Sequence, residues 1–403
     1  MGNIFEMPVS VTEIIVKSPP FTHDVLSPHL KPDRPPAVPG TRVYPLAIGT
    51  PETHTMGTSL FRYLQIKVHE AVLWGKYDDI IVIGSYNRYS PASIPFEGEK
   101  RDKPFNWERP TARREGSTLY IECFPGHDHV EHYSEIIACY LRLLEEATPA
   151  YNLTHYSRVS FIPSSCSDTQ RALSNTTNLN EFPGEGVDAV ILGMVWHLPN
   201  LTGAEEWQGA GPWQWIVRPV SSGLRVGFLG FRPAFWGDIA GEVIHWLTSR
   251  FSSIKEIIYL GKLGVLRKGV KPNAWLATGD KSLVNGRVVA WGNCLERAIQ
   301  IKGAHSIISG SHVTLGSVLH ETKEWHKELE GVVDFVDPEI GMMAQAAVRS
   351  GIRFGYLHMI TDNLGQKYEE DLSNERTLSV LKGRARLHQV VRDVMEEHLG
   401  TPV

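Results

Sequence analysis

Cysteine is scarce in this chain: four residues among 403, namely Cys123, Cys139, Cys166 and Cys294. They form no Cys-x-x-Cys pair and no dense framework, which excludes a disulfide-stapled secreted scaffold and fits reduced thiols in the cytoplasm. Charge of one sign is lacking too. Forty basic residues stand against 45 acidic ones, for a formal net charge of -5, and the basic residues are thinly spread. That excludes the electrostatic footprint of a protein that grips a nucleic-acid duplex and leaves a small molecule as the expected partner. Long hydrophobic runs are absent: no stretch approaches the roughly 20 apolar residues of a membrane span. The first sixteen residues carry acidic side chains early and no unbroken apolar core, so a soluble cytoplasmic protein with no membrane partner is expected. Three Asn-x-Thr sequons, beginning at Asn152, Asn175 and Asn200, are read as unmodified.

What is there is ordinary globular material, 42% hydrophobic and 21% charged, in a chain long enough for two sizeable cores. Seven prolines between Pro19 and Pro39 cannot donate regularly to a hydrogen-bond ladder, so residues 1–40 are expected to form an extended arm. From Thr41 the pattern starts as strand, helix, strand: a strand over 42–48, helical apolar spacing over 59–74 and a buried-type strand over 80–84. Residues 97–116 read as a surface loop, 118–124 as a strand, 130–146 as an amphipathic helix and 158–163 as a strand. The polar stretch 147–186 is expected to hold the boundary between an N-terminal α/β region, 41–186, and a second domain, 187–403. There the alternation is plain: strands at 187–194, 224–229, 256–260, 287–291, 306–309 and 354–360, with helices at 238–251, 342–350 and 375–399. Strands spaced in this way predict an α/β fold with a mostly parallel or mixed sheet and helices on both faces.

Three segments of the second half hold chemistry-bearing residues in order. The run Ile257–Leu260 ends in Gly261-Lys262-Leu263-Gly264, read as a glycine-bearing turn whose backbone N–H groups approach an anion or a sugar oxygen. Asp337-Pro338-Glu339 stands directly before an Ala- and Met-rich helix, where a carboxylate serves either as a helix cap or as an acceptor for the two hydroxyls of a ribose. The run Tyr356–Ile360 delivers Thr361-Asp362-Asn363 at a strand's C-terminal end, where open α/β sheets bind their ligands and where Asp-Asn also suits a plain turn.

In this order and spacing the three segments resemble the nucleoside phosphorylase/nucleosidase superfamily. The segment ending Ala277-Thr278-Gly279-Asp280 and the run Ser309-Gly310-Ser311-His312-Val313 extend the likeness, which covers about residues 190–395. The resemblance implies cleavage of an N-glycosidic bond in a nucleoside or ribosylated metabolite, by hydrolysis or phosphorolysis. It implies that Glu339 holds the ribose and that Asp362, with a raised pKa, assists the departing base. It also implies self-association into a homo-oligomer, and it calls for no cofactor. The sequence departs from the family pattern at several points. Pro338 replaces a methionine, and Val313 stands where relatives place a base-stacking aromatic. Lys262 replaces a small hydroxyl residue, so it either binds a phosphate or carboxylate or fills the phosphate site and leaves water as nucleophile. The bulky segment Gly230-Phe231-Arg232-Pro233-Ala234-Phe235-Trp236-Gly237 replaces a glycine-rich one, with Arg232 as an anion contact or a surface arginine.

Two further motifs compete. His127, His129, Glu131 and His132 approach a metallo-hydrolase pattern, but Glu131 stands where an Asp is usual and no later ligands follow, so no metal is assigned. His54, in a Gly-rich loop after the first strand, loosely resembles the histidine of nucleotidyltransferases without its second histidine. Two alternatives therefore accompany the nucleosidase reading: a biosynthetic transferase on a nucleotide-activated substrate through His54 and Lys262, and a non-catalytic nucleoside-binding sensor.

Overall fold

The computed structural model describes residues 41–43, 50–85, 92, 94–95, 110–147, 158–203, 206–231, 236–303, 305–368 and 378–401. The proline-rich arm, most of the expected first strand and Arg232 lie outside the described residues. Among these residues, no helix is long and apolar enough to cross a membrane.

A six-stranded sheet forms from β1 (Arg42–Val43), β2 (Asp79–Ile83), β3 (Ile94–Pro95), β4 (Thr111–Glu115), β5 (Thr118–Glu122) and β6 (Arg158–Ile162), in the order β1-β6-β2-β5-β4-β3. Its centre is β2, whose Asp-Ile-Ile-Val-Ile run lies between parallel β5 and β6, and a strand covered on both faces reads as this kind of continuous apolar run. Helices α1 (Ser59–Gln65) and α2 (His127–Ala147) accompany it. The helix expected over 59–74 stops at Gln65 because His69 takes an extended backbone. Its imidazole accepts the Ala71 N–H and starts a separate 3-10 turn at Glu70–Leu73. The expected loop 97–116 ends in a real strand, β4, paired antiparallel with β5.

Helix α3 (Cys166–Thr176) leads into the second sheet. The strands are β7 (Ala189–Gly193), β8 (Trp213–Pro219), β9 (Arg225–Phe231), β10 (Glu256–Val265), β11 (Leu276–Thr278), β12 (Lys281–Val284), β13 (Arg287–Ala290), β14 (Ile307–Ser309), β15 (His312–Thr314), β16 (Phe335–Asp337) and β17 (Arg353–Asn363). The helices are α4 (Pro199–Thr202), α5 (Asp238–Arg250), α6 (Glu296–Lys302), α7 (Lys323–Leu329), α8 (Ile340–Arg349) and α9 (Leu378–Leu399). The path runs β13-β12-β15-β16-β10-β17-β11-β14, with β7 also on β10, β9 on β7 and β8 on β9. Parallel and antiparallel pairs mix, and helices cover both faces. On one side Val243, Ile244 and Leu247 of α5 and Met343, Ala344 and Ala347 of α8 pack with Ile257 and Tyr356. On the other, Ala298 of α6 and Leu387, Val391 and Val394 of α9 meet Ile258, Leu260 and Leu357. The fold is thus α/β with a mixed sheet.

The glycine-bearing turn expected after Leu260 is strand instead: β10 runs on to Val265 beside β17, with a register shift between Leu263 and Gly264. The glycines make room rather than a bend. A Cβ on Gly261 would stand 2.7 Å from His358 Nε2, and one on Gly264 would stand 2.8 Å from Asp362 Oδ2.

Two other elements were hidden in polar or Trp-rich sequence. Helix α3 carries a capping box, in which Ser165 accepts the Asp168 N–H and Asp168 accepts the Ser165 N–H. Strand β8 sits inside the expected loop between β7 and β9 and pairs antiparallel with β9. The second core reaches back to α3, because Ala172, Leu173, Leu179 and Phe182 pack in one cluster with Val187, Leu229 and Ile244.

The halves meet helix end to helix end. Asp238, opening α5, accepts the N–H groups of His127 (2.8 Å) and Asp128 (3.1 Å), while Asp128, in the first turn of α2, accepts the N–H of Asp238 (2.9 Å). Each N-terminus therefore caps the other. Nearby, His132 stacks on Trp236 with ring centroids 4.4 Å apart and hydrogen-bonds Ser317 at 2.8 Å. His320 reaches Glu135 at 2.7 Å.

Candidate functional site

Strands β9, β7, β10 and β17 run parallel, so their carboxyl ends lie at one edge of the sheet, where ligands of open α/β sheets bind. The most informative residue there is Glu339. It precedes α8, but its side chain makes no cap. Asp337 does that work: its Oδ1 accepts the N–H groups of Glu339 and Ile340, both at 2.8 Å. Relieved of the task, Glu339 is a buried residue, 8% exposed, whose carboxyl accepts no hydrogen bond from another of the described residues. Burial, and then the negative charge of Asp337, push it well above the usual carboxylate range.

Asp337 is itself anchored from below. His312 Nε2 stands 3.1 Å from its Oδ1 and His358 Nε2 3.7 Å from its Oδ2. His312 continues to Ser282 (2.9 Å), Ser282 to Thr314 (3.2 Å), and Thr314 Oγ1 accepts the Gly341 N–H in α8 (2.9 Å). Desolvation opposes an ionised Asp337, yet the interaction with His312, through space and as a hydrogen-bond donor, followed by the neighbouring His358 ring and the Ile340 N–H, outweighs it and holds the carboxyl below its ordinary value. His358 is fully buried, and desolvation pushes its imidazole down to about 4, so it is neutral near pH 7. Neither of its ring nitrogens has a hydrogen-bond partner among the described residues.

Asp362 closes β17 opposite Gly264, beyond the register shift. Thr361 Oγ1 donates to its Oδ1 at 3.0 Å. The residue keeps an exposed surface, while the protein around its carboxyl raises its pKa through desolvation. Glu321 lies close enough for the Asp362 charge to add to the burial that raises its own carboxyl well above normal. Successive strand residues alternate sides. Asp362 lies on the side of Val336, whose Cγ1 is 3.3 Å from the position of a Gly264 Cβ, whereas Phe335 faces the α5/α8 core. Asp337 alternates back to the side of Phe335.

Lys262, half-buried in β10, pairs in register with Met359. Its charge acts on His197, just after β7, and on His388 of α9. Those two rings stack at 3.6 Å. Arg392 donates to the His197 carbonyl (3.3 Å) and Arg384 to Asn273 Oδ1 (2.8 Å). Desolvation first, then His197 and the neighbouring cations, push His388 down to about 3. Of this group of lysine, arginines and histidines, sequence reasoning named only Lys262. A readable signal existed, since Arg384, His388 and Arg392 recur every four residues and so share one helix face.

Other expected residues have structural tasks. His54 is buried, with Nε2 at 2.9 Å from the Val318 carbonyl and Nδ1 accepting the Met56 N–H at 3.0 Å, so it fastens its loop to the second half and keeps no nitrogen for a phosphoryl group. Val313 is closed in among Leu266, Trp325, Val333 and Val336. His127 pairs with Glu131 (3.3 Å), His129 with the Phe124 carbonyl (3.0 Å) and His132 with Ser317, three separate partners and no shared ligand point.

No protein-family model and no curated protein sequence matches this chain. Among solved structures, futalosine hydrolase of Helicobacter pylori is similar at 13% identity over 53% of this chain and 97% of its own, with a TM-score of 0.40. A 5'-methylthioadenosine/S-adenosylhomocysteine nucleosidase from Colwellia psychrerythraea, in complex with adenine, is similar at 14% identity over 54% of this chain and 98% of its own, with a TM-score of 0.41. The corresponding nucleosidase of Campylobacter jejuni shows 10% identity over 53% of this chain and 100% of its own, with a TM-score of 0.42. About half of this chain is similar to these proteins.

Proposed function

We propose that the second half of this protein cleaves the N-glycosidic bond of a nucleoside or ribosylated metabolite. The observation that supports this reading is the state of Glu339. A buried Glu339, with capping handed to Asp337 and no hydrogen bond from another described residue, has its carboxyl available to a ligand. A ribose diol supplies the missing partners, since each hydroxyl both donates and accepts and so matches a carboxyl in either protonation state. As the bond between the anomeric carbon and the base nitrogen breaks, positive charge grows on the sugar and negative charge on the base. Asp362, its pKa raised by desolvation, is assigned the proton that neutralises the base.

The nucleophile that completes the sugar is water or phosphate, and Lys262 bears on which. With His197, His388, Arg384 and Arg392 around it, a phosphate is held as the attacking group, or an anionic substituent of the substrate occupies the place and water attacks. Incubation with a panel of purine and pyrimidine nucleosides and S-adenosyl compounds, with and without phosphate, separates these by free-base release. Release without phosphate identifies a hydrolase, and release that requires phosphate a phosphorylase. No release from any member, together with no protection of the protein by adenosine or ribose 1-phosphate in a melting experiment, overturns the reading.

A further inference from the structure

The far end of the same sheet holds a second grouping of chemically able side chains. Glu256 opens β10, Cys294 lies just before α6 and His398 in the last turn of α9, and one ligand atom from each lies within 4.8 Å of the others. Glu256 is 1% exposed, whereas Cys294 and His398 are half-buried and leave one side reachable from solvent. His398 Nε2 stands 2.6 Å from Glu256 Oε1, and Arg353 Nη2 stands 2.8 Å from Oε2. Cys294 is seated against the bare backbone of Gly355, where a Cβ would come within 2.7 Å of its sulfur.

We propose that Glu256, Cys294 and His398 bind a divalent zinc ion, with the fourth position open to solvent. Thiolate, imidazole and carboxylate are the donor types zinc selects, and three protein ligands plus water complete a tetrahedron. Ligands at zinc's bond lengths stand about 3.3–3.6 Å apart, so the His398–Glu256 contact opens by roughly 0.7 Å on binding. Arg353 has the position of an outer-shell partner, holding Oε2 and aiming Oε1 at the ion. On binding, the Cys294 S–H bond breaks and its proton leaves to solvent as the Zn–S bond forms. The His398 proton moves from Nε2 to Nδ1, which frees the Nε2 lone pair. The ion would tie the end of α9 to the first residue of β10 and to the loop before α6, three elements far apart in sequence. Sequence spacing conceals it, since the ligands are residues 256, 294 and 398.

Full-length protein stripped with chelator and returned to zinc tests the proposal by elemental analysis. The expected result is about one equivalent for wild type and for Cys166→Ser, which removes the exposed thiol, and loss of that equivalent in Cys294→Ser and His398→Ala. Cobalt in place of zinc is expected to give a thiolate charge-transfer band in wild type and Cys166→Ser but not in Cys294→Ser. Labelling of Cys294 in the unaltered protein needs no variant to fold, and zinc is expected to slow it at least tenfold. Substoichiometric zinc after reconstitution, retention of the metal by Cys294→Ser, or equal labelling rates with and without zinc would each overturn the assignment and leave Glu256 as a buried acid satisfied by its donor neighbours.

Discussion

Asp337 and Glu339 divide between them what one carboxylate does at most helix starts. Asp337 takes the two peptide N–H groups and stands beside the two buried imidazoles, and Glu339, relieved of capping, is the one proposed to hold a ligand. Their variants should therefore fail differently. Glu339→Gln is expected to fold normally and to lose about 10- to 150-fold in kcat/KM, the worth of a hydrogen bond to a charged group. Asp337→Asn is expected to lower the unfolding free energy by roughly 1–3 kcal/mol, because it weakens the cap of α8 and removes the carboxylate beside buried His312. Denaturant melts beside steady-state kinetics separate the two, and equal destabilisation by both would deny Glu339 its special standing. For Asp362→Asn the expected loss is about 10²- to 10⁴-fold in the chemical step with little change in stability, read by single-turnover base release. Full activity in that variant would remove Asp362 from the mechanism.

The positions of residues 339 and 362, at a helix start and near a strand end, were legible in sequence because local patterning marks such boundaries. Their surroundings were not. Nothing in the run Asp337-Pro338-Glu339 says which carboxylate caps α8, since that depends on His312, 25 residues earlier in the chain, and His358, 21 later. His54 was read as chemistry for the same reason. A histidine in a Gly-rich loop looks available until Val318, from the other half, is brought against it.

At the scale of elements, periodicity found those with one apolar face and missed those written in polar residues. Helix α3 has little apolar content, but its Ser-x-x-Asp box fixes its start, and Leu173 is wholly buried. Leu173→Ala is expected to cost about 2–5 kcal/mol in a denaturant melt, and Ser165→Ala about 1 kcal/mol. A negligible effect of Leu173→Ala would mean that the second core does not depend on α3. The continuation of β10 past Gly261 was misread as a turn because glycine signals one locally. Its cause is long-range: the parallel partner β17 brings His358 and Asp362 against positions where only hydrogen fits.

At the scale of the whole molecule, the two halves are joined by helices that cap one another through Asp128 and Asp238. Burial and the neighbouring Asp238 charge push Asp128 up to about 7. Because its folded pKa lies above its unfolded value near 3.8, the folded protein binds the extra proton. The penalty for ionising Asp128 is absent below about pH 4, grows through the interval to 7 and is complete above it. Stability should therefore fall from pH 5 to pH 8, by an amount on the order of a few kcal/mol before other groups contribute. Asp128→Asn keeps an acceptor for the Asp238 N–H and should flatten that slope, as measured by denaturant unfolding at both pH values. An unchanged slope would show that the carboxyl is not the titrating group.

Sequence by itself determined the α/β class and the order of most elements, because these follow from local periodicity and the chain's own direction. Only the tertiary structure decided which acid caps α8, that the Lys262 charge acts on His197 and on His388 of α9, and that Glu256, Cys294 and His398 converge. Burial and charge pairing depend on residues far apart along the chain, and their energies exist only once folding has removed the water between them.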